Sequence, residues 1–153
     1  MWLLEWLRRQ TEIQPEPEAR LRILGLSLLL QDMCVLERLG KQHNWDVRFT
    51  SSPRQAFTLA SQTHFELILC DRFQPGYPWR EVMERFSACS PQSCILLVSP
   101  VADEYMWQEV LQRGGYDVLR RPLSDSSTLH AVEAVLRFTS PDSIPSEAGA
   151  SVG

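Results

Sequence analysis

The sequence predicts an α/β fold, with five short strands gathered into one parallel sheet and five helices laid over both of its faces as a three-layer (βα)5 arrangement. Three observations carry this. The chain has 153 residues, which is room for one compact domain with a real core. Its apolar residues fall in short runs separated by longer segments of helical period. The runs LILC and CILLVS are apolar throughout rather than alternating, as strands covered on both faces are.

The strands are expected at residues 22–28, 46–50, 65–70, 94–99 and 117–119. Between the first two, Val35, Leu36 and Leu39 share one helical face. Ala56, Phe57 and Ala60 share the next, after Ser52-Pro53-Arg54-Gln55, which has capping-box spacing with proline at the first helical position. Val82, Met83 and Phe86 follow Pro78. Met106, Trp107, Val110 and Leu111 follow Asp103, and Gly114-Gly115 stops that helix with residues that accept positive φ. Leu129, Val132, Val135 and Leu136 form the last stripe. Residues 1–20 are expected to be an amphipathic stub and linker, residues 21–138 the domain, and residues 139–153 a disordered tail.

Composition narrows the function classes. The formal net charge is −4 and no Lys/Arg stripe appears, which argues against a nucleic-acid partner. Cys34, Cys70, Cys89 and Cys94 make no C-x-x-C pair and have no histidine at metal-site spacing. They are expected to be small apolar residues in or near the core of a reduced protein, with no metal bound. The opening MWLLEWLRR is too short to span a bilayer and makes a poor signal peptide, so a cytoplasmic location is the expectation. Its Trp2, Leu3, Leu4, Trp6 and Leu7 suit docking on protein, in cis or across a homodimer.

In a parallel sheet of this kind the functional groove lies at the carboxyl ends of the strands. Ser27-Leu28 ends the first strand and Asp71 the third. Ser99-Pro100 ends the fourth, and Arg121-Pro122 follows the fifth. A carboxylate, a hydroxyl and a guanidinium on one edge could hold a phosphoryl group on Asp71, with Ser99 and Arg121 on its oxygens.

In that order, LILCDRFQPG, LLVSPVAD and GGYDVLRRP resemble the third, fourth and fifth strands of the CheY-like receiver domain of response regulators. The resemblance covers about residues 21–138. It implies a flavodoxin-like sheet of strand order 2-1-3-4-5, with Asp71 as phosphoacceptor and Ser99 and Arg121 as phosphate contacts. It also implies a role in bacterial signal transduction. The departures matter as much. Receivers end the first strand in two acidic residues that hold Mg²⁺, and Ser27 and Leu28 stand there instead; leucine cannot ligate a hard cation. Asp32 falls at the start of the first helix, too far along to substitute, and Glu37 faces further away. The usual lysine is Arg121, which is not interchangeable with it. The aromatic switch position is Val118, with Tyr116 two residues earlier.

The resemblance puts the partner face on the fourth helix, fifth strand and fifth helix, where Tyr105, Trp107, Tyr116 and Arg120 lie. Trp107 reads equally as core, and Trp79 either shields Asp71 or starts the core of the third helix. Three functions follow. The first is an atypical, non-enzymatic receiver that binds signalling proteins with little or no Mg²⁺-dependent phosphorylation and no cofactor. The second is a phosphorelay receiver that is phosphorylated on Asp71 by a histidine kinase and uses Mg²⁺. The third, a flavodoxin-like nucleotide binder or enzyme, lacks a Gly-rich phosphate loop after the first strand and any G-x-S-x-G elbow.

Overall fold

Parallel pairing of five strands organises the chain in this computed structural model, which describes Leu3 and residues 20–139. The strands are β1 (Arg22–Leu26), β2 (Asp46–Thr50), β3 (Leu67–Asp71), β4 (Cys94–Ser99) and β5 (Asp117–Arg120). The helices are α1 (Leu30–His43), α2 (Pro53–Gln62), α3 (Trp79–Cys89), α4 (Glu104–Gln112) and α5 (Asp125–Thr139). The sheet order is β2-β1-β3-β4-β5, the order the resemblance implies, and all pairs are parallel, as the unbroken apolar runs imply.

Period two splits the core into two layers. Ile23, Leu67, Leu69, Leu96, Val98 and Leu119 face one way and pack with Leu36 and Leu39 of α1 and Val132 and Val135 of α5. Leu24, Leu26, Ile68, Cys70, Ile95 and Leu97 face the other way, against α2, α3 and α4. The central strands β3 and β4 are buried at every position, which explains why their sequences show no alternation.

Local signals end the helices where the chemistry demands. The Ser52 hydroxyl accepts from the Gln55 amide at 3.2 Å, with Pro53 opening α2. The reciprocal half of the capping box is not made: Gln55 pairs with the Thr50 hydroxyl, which in turn accepts from the Ser52 amide. The Asp103 carboxylate accepts from the Met106 amide at 2.8 Å and starts α4. Gly114, at φ 87°, turns the chain after it.

Strand ends differ from the sequence expectation. β1 stops at Leu26, because Ser27 takes a left-handed φ of 55°; its amide still donates to the Thr50 carbonyl at 2.9 Å, but residues 27 and 28 are outside the strand. β3 runs on through Asp71, and Phe65, although fully buried, precedes it. β5 extends to Arg120. Among the cysteines, Cys70 and Cys94 are buried and Cys89 is half-buried. Cys34 is exposed on α1, away from the expected core placement. Burial pushes the Cys70 thiol up to about 12, with the charge of Asp71 adding to it. The expectations about residues 1–19, Leu3 apart, and about residues 140–153 lie outside the described residues.

Candidate functional site

Register decides which side chains meet. Asp71 is paired with Val98, and Val98 with Leu119. Arg121 is two residues past Leu119, so period two sets Asp71 and Arg121 on the same face, the one covered by α1 and α5. The two side chains do meet there. Asp71 is 1% exposed. Its Oδ1 accepts from the Phe73 amide at 2.9 Å. Its Oδ2 lies 3.3 Å from Arg121 Nη1, an ion pair without hydrogen-bond geometry. The exposed Phe73 ring stands over the guanidinium, 5.5 Å from ring centre to Cζ. Arg121 is thus held between a carboxylate and an aromatic face.

Ser99 is fully buried but serves the backbone. Its hydroxyl accepts from the Val101 amide at 3.1 Å, and its carbonyl accepts from the Arg121 amide. Period two turns Ser99 away from Val98, and no hydrogen bond joins it to Asp71 among the described residues. The rim carries all three groups, while contact is made only between Asp71 and Arg121.

The β1 side of the site is apolar. The Ser27 hydroxyl turns to the Ser51 carbonyl at 3.4 Å. Leu28 is buried in the α1/α5 layer and folds back over Gly25, where an added Cβ would meet Leu28 Cδ1 at 2.8 Å. Leu28 therefore fills the space above β1.

One expectation needs correction. Asp32 is not too far along α1 to reach the site. A helix repeats every 3.6 residues, and Asp32 lies on the buried face with Leu36 and Leu39. It is 0% exposed, and its Oδ1 accepts from the Leu123 amide at 2.9 Å, two residues beyond Arg121. Its Oδ2 is buried without a hydrogen-bond partner. The signal was present in the sequence as one polar residue on an otherwise apolar stripe.

Burial raises the pKa of Asp71 above the ordinary carboxylate range. The Phe73 amide and Arg121 oppose that shift, and the nearby negative charge of Asp32 adds to it.

The remaining expectations divide cleanly. Trp79 is buried among Phe86, Met83 and Val82, so it belongs to the core. On α4, Tyr105 is 70% and Trp107 44% exposed, so Trp107 is a surface residue. Arg120 is exposed, and Tyr116 is half-buried with its ring edge-on to Phe138 at 5.8 Å. The charge pairs Arg80–Glu109 and Arg113–Glu84 tie α3 to α4 and to its C-cap. A cavity of about 510 Å³ lined by His64, Cys94, Tyr116 and Phe138 lies at the opposite end of the strands from Asp71. Among the described residues, no helix is long and apolar enough to cross a membrane.

The fold is the flavodoxin-like (βα)5 fold of CheY-like receivers, and here an aspartate ends the third strand. The chain is similar to Vibrio cholerae chemotaxis protein CheY4, at 19% identity and a TM-score of 0.68 over 77% of this chain and 100% of that one. It is similar to a CheY-like receiver domain protein from Methanospirillum hungatei, at 17% identity and 0.67 over 78% and 96%. It is also similar to a response regulator from Thermotoga maritima, at 17% identity and 0.67 over 76% and 98%. No family model and no curated protein matches the sequence. At these identities the likeness establishes the receiver fold.

The fold carries with it the question of Mg²⁺, a cation that demands near-octahedral oxygen ligation. The residues present do not fit it. Leu28 offers no oxygen, Asp71 Oδ2 already faces Arg121, and Asp32 spends one oxygen on a backbone amide. Among the described residues no three Asp, Glu, His or Cys side chains converge on one point.

Proposed function

We propose that this chain is an atypical receiver domain that acts in signal transduction by binding other proteins, with little or no Mg²⁺-dependent phosphorylation of Asp71, and that it is not an enzyme. The observation that carries this reading is the occupation of the site. Arg121 pairs with Asp71 where a transferred phosphoryl group would have to be neutralised, and Leu28 fills the β1 side. Binding then falls to the surface of α4 and β5. Tyr105, Trp107 and Arg120 stand exposed there, and aromatic and arginine side chains dominate binding energy at interfaces. The cytoplasm is the compartment this role implies.

The competing reading is a phosphorelay receiver that takes its phosphoryl group from a histidine kinase onto Asp71. What favours it is the second buried carboxylate, Asp32, beside an aspartate in the phosphoacceptor position. Intact mass measured after incubation with Mg²⁺ and a small phosphodonor, or with beryllofluoride, separates the two. We expect no adduct. A stoichiometric gain that disappears in Asp71→Asn establishes the relay reading instead.

A further inference from the structure

Two apolar surfaces of this chain lie open. The first lines the cavity of about 510 Å³ at the amino end of the strands. Cys94, which opens β4, and Tyr116, which precedes β5, stand in its wall with His64 and Gln92. Phe138 of α5 closes one side. It is 71% exposed, with its ring edge-on to Tyr116. A large aromatic left in water beside a cavity marks a binding surface. The second surface belongs to the first ten residues. At helical spacing Trp2, Leu3, Trp6 and Leu7 share one face, with Glu5 and Arg8 on the other. Leu3, the one described residue among them, is helical and 62% exposed, so that face lies open there.

The segment joins the domain close to the cavity. Arg20 fastens the junction, its guanidinium donating to the Asn44 and Trp45 carbonyls. Two residues on, the Arg22 amide donates to the Glu66 carboxylate at 2.7 Å, and the Glu66 carbonyl accepts from the Cys94 amide at 2.9 Å. A single residue, Glu66, therefore links the start of β1 to the cavity wall. From β1 to β4 is two strand spacings, about 10 Å. The twelve residues from Arg8 to Ala19 reach to roughly 40 Å when extended, so they span that gap with slack.

We propose that residues 1–7 fold back on their own domain as a strap, seating Trp2 and Trp6 against Tyr116 and Phe138 in this cavity. Tryptophan suits a wall of mixed chemistry. Its ring packs on the two aromatics, and Gln92 and His64 offer polar partners for its indole N–H. The docking is in cis. A short linker holds the segment at an effective concentration on the order of millimolar, well above that of a second copy in micromolar solution. The cavity and Asp71 lie at opposite ends of the strands, so the strap leaves the Asp71 rim open and does not depend on how that site is read.

The test compares amide and indole NMR spectra of the full chain with those of Trp2→Ser/Trp6→Ser. The amides of Gln92, Gly114, Gly115 and Tyr116 are expected to shift, while those at the Asp71 rim stay in place. In Phe138→Ser the Trp2 and Trp6 indole N–H signals should move to the position of exposed indole. Tenfold dilution should leave the wild-type spectrum unchanged, and sedimentation velocity should show a monomer.

The proposal is overturned if the double variant leaves those four amides unmoved, or if the largest shifts fall at the Asp71 rim. Cavity shifts that fade on dilution as a dimer dissociates overturn it in favour of exchange between two copies. Indole signals that respond only to phosphatidylglycerol vesicles overturn it in favour of a membrane surface. If Phe138→Ser loses its near-UV circular dichroism, Trp2→Ser/Trp6→Ser decides alone, because both of its substitutions lie outside residues 20–139.

Discussion

β1 and β3 lie side by side and deliver their chains to the same rim, yet they do so with opposite chemistry. β3 continues its ladder through Asp71, so that the carboxylate is positioned by sheet hydrogen bonds and by the Phe73 amide. β1 breaks off at Leu26, passes through left-handed Ser27 and buries Leu28 over Gly25. The buried carboxylate on the β1–α1 side is Asp32, in the first turn of α1, where it accepts from the Leu123 amide of the β5–α5 turn. The difference teaches that charge at a rim can be relocated from a strand end to a helix face, provided both look into the same layer. What changes is reach. A strand-end carboxylate points outward to ligands, whereas Asp32 points inward and holds the backbone that presents Arg121.

The largest way to break this contrast is to remove the apolar plug. Leu28→Ala deletes a buried side chain with little room for its surroundings to collapse, and should cost about 3 kcal/mol. Urea denaturation would read this as a lower midpoint at unchanged slope. A loss indistinguishable from that of an exposed leucine such as Leu30 would mean that Leu28 does not fill the space above β1.

A sharper probe of the same packing comes from the glycine beneath. A Cβ on Gly25 would stand 2.8 Å from both Leu28 Cδ1 and Phe49 Cδ1. Gly25→Ala should therefore cost about 2 kcal/mol by overpacking. In the Leu28→Ala background half of that crowding is gone, so the two costs should not add. Strict additivity in the double-mutant cycle would show that the two positions do not touch.

Much of this arrangement was legible in the sequence. The short strand-like runs, Ser52-Pro53, Asp103 and Gly114 each act locally, and each located its element, with the ends of β1, β3 and β5 displaced by one or two residues. Asp71 and Arg121 were legible because strand ends follow from runs, and because period two carries a face across paired strands. Asp32 was misplaced because counting along the chain treats a helix as distance from the strand, whereas helical period sets Asp32 on the buried face of α1 with Leu36 and Leu39. The β1 boundary was missed because positive φ at a serine has no compositional signal of the kind glycine gives. Surface or core for Trp107 depended on the rotation of α4, and a stripe of four apolar residues leaves that open by a quarter turn.

The smallest expected effect is a slope rather than a drop. Burial raises the pKa of Asp71 in the folded protein, against the opposing pull of the Phe73 amide and Arg121. The native state then holds that proton more tightly than the unfolded chain does. Its contribution is fully present below the ordinary aspartate value, about 3.9. It is lost as pH rises from there through the raised native value. Asp71→Asn has no such proton to lose. Its stability relative to wild type should therefore grow with pH across that window and stay level above it. Loss of the partner for Arg121 shifts the whole difference by a constant, because the guanidinium stays charged throughout, and so leaves the slope intact. Urea midpoints of both proteins at stepped acidic pH values measure it. A difference that shrinks as pH rises would mean that Arg121 outweighs desolvation and that the pair, rather than the burial, governs Asp71.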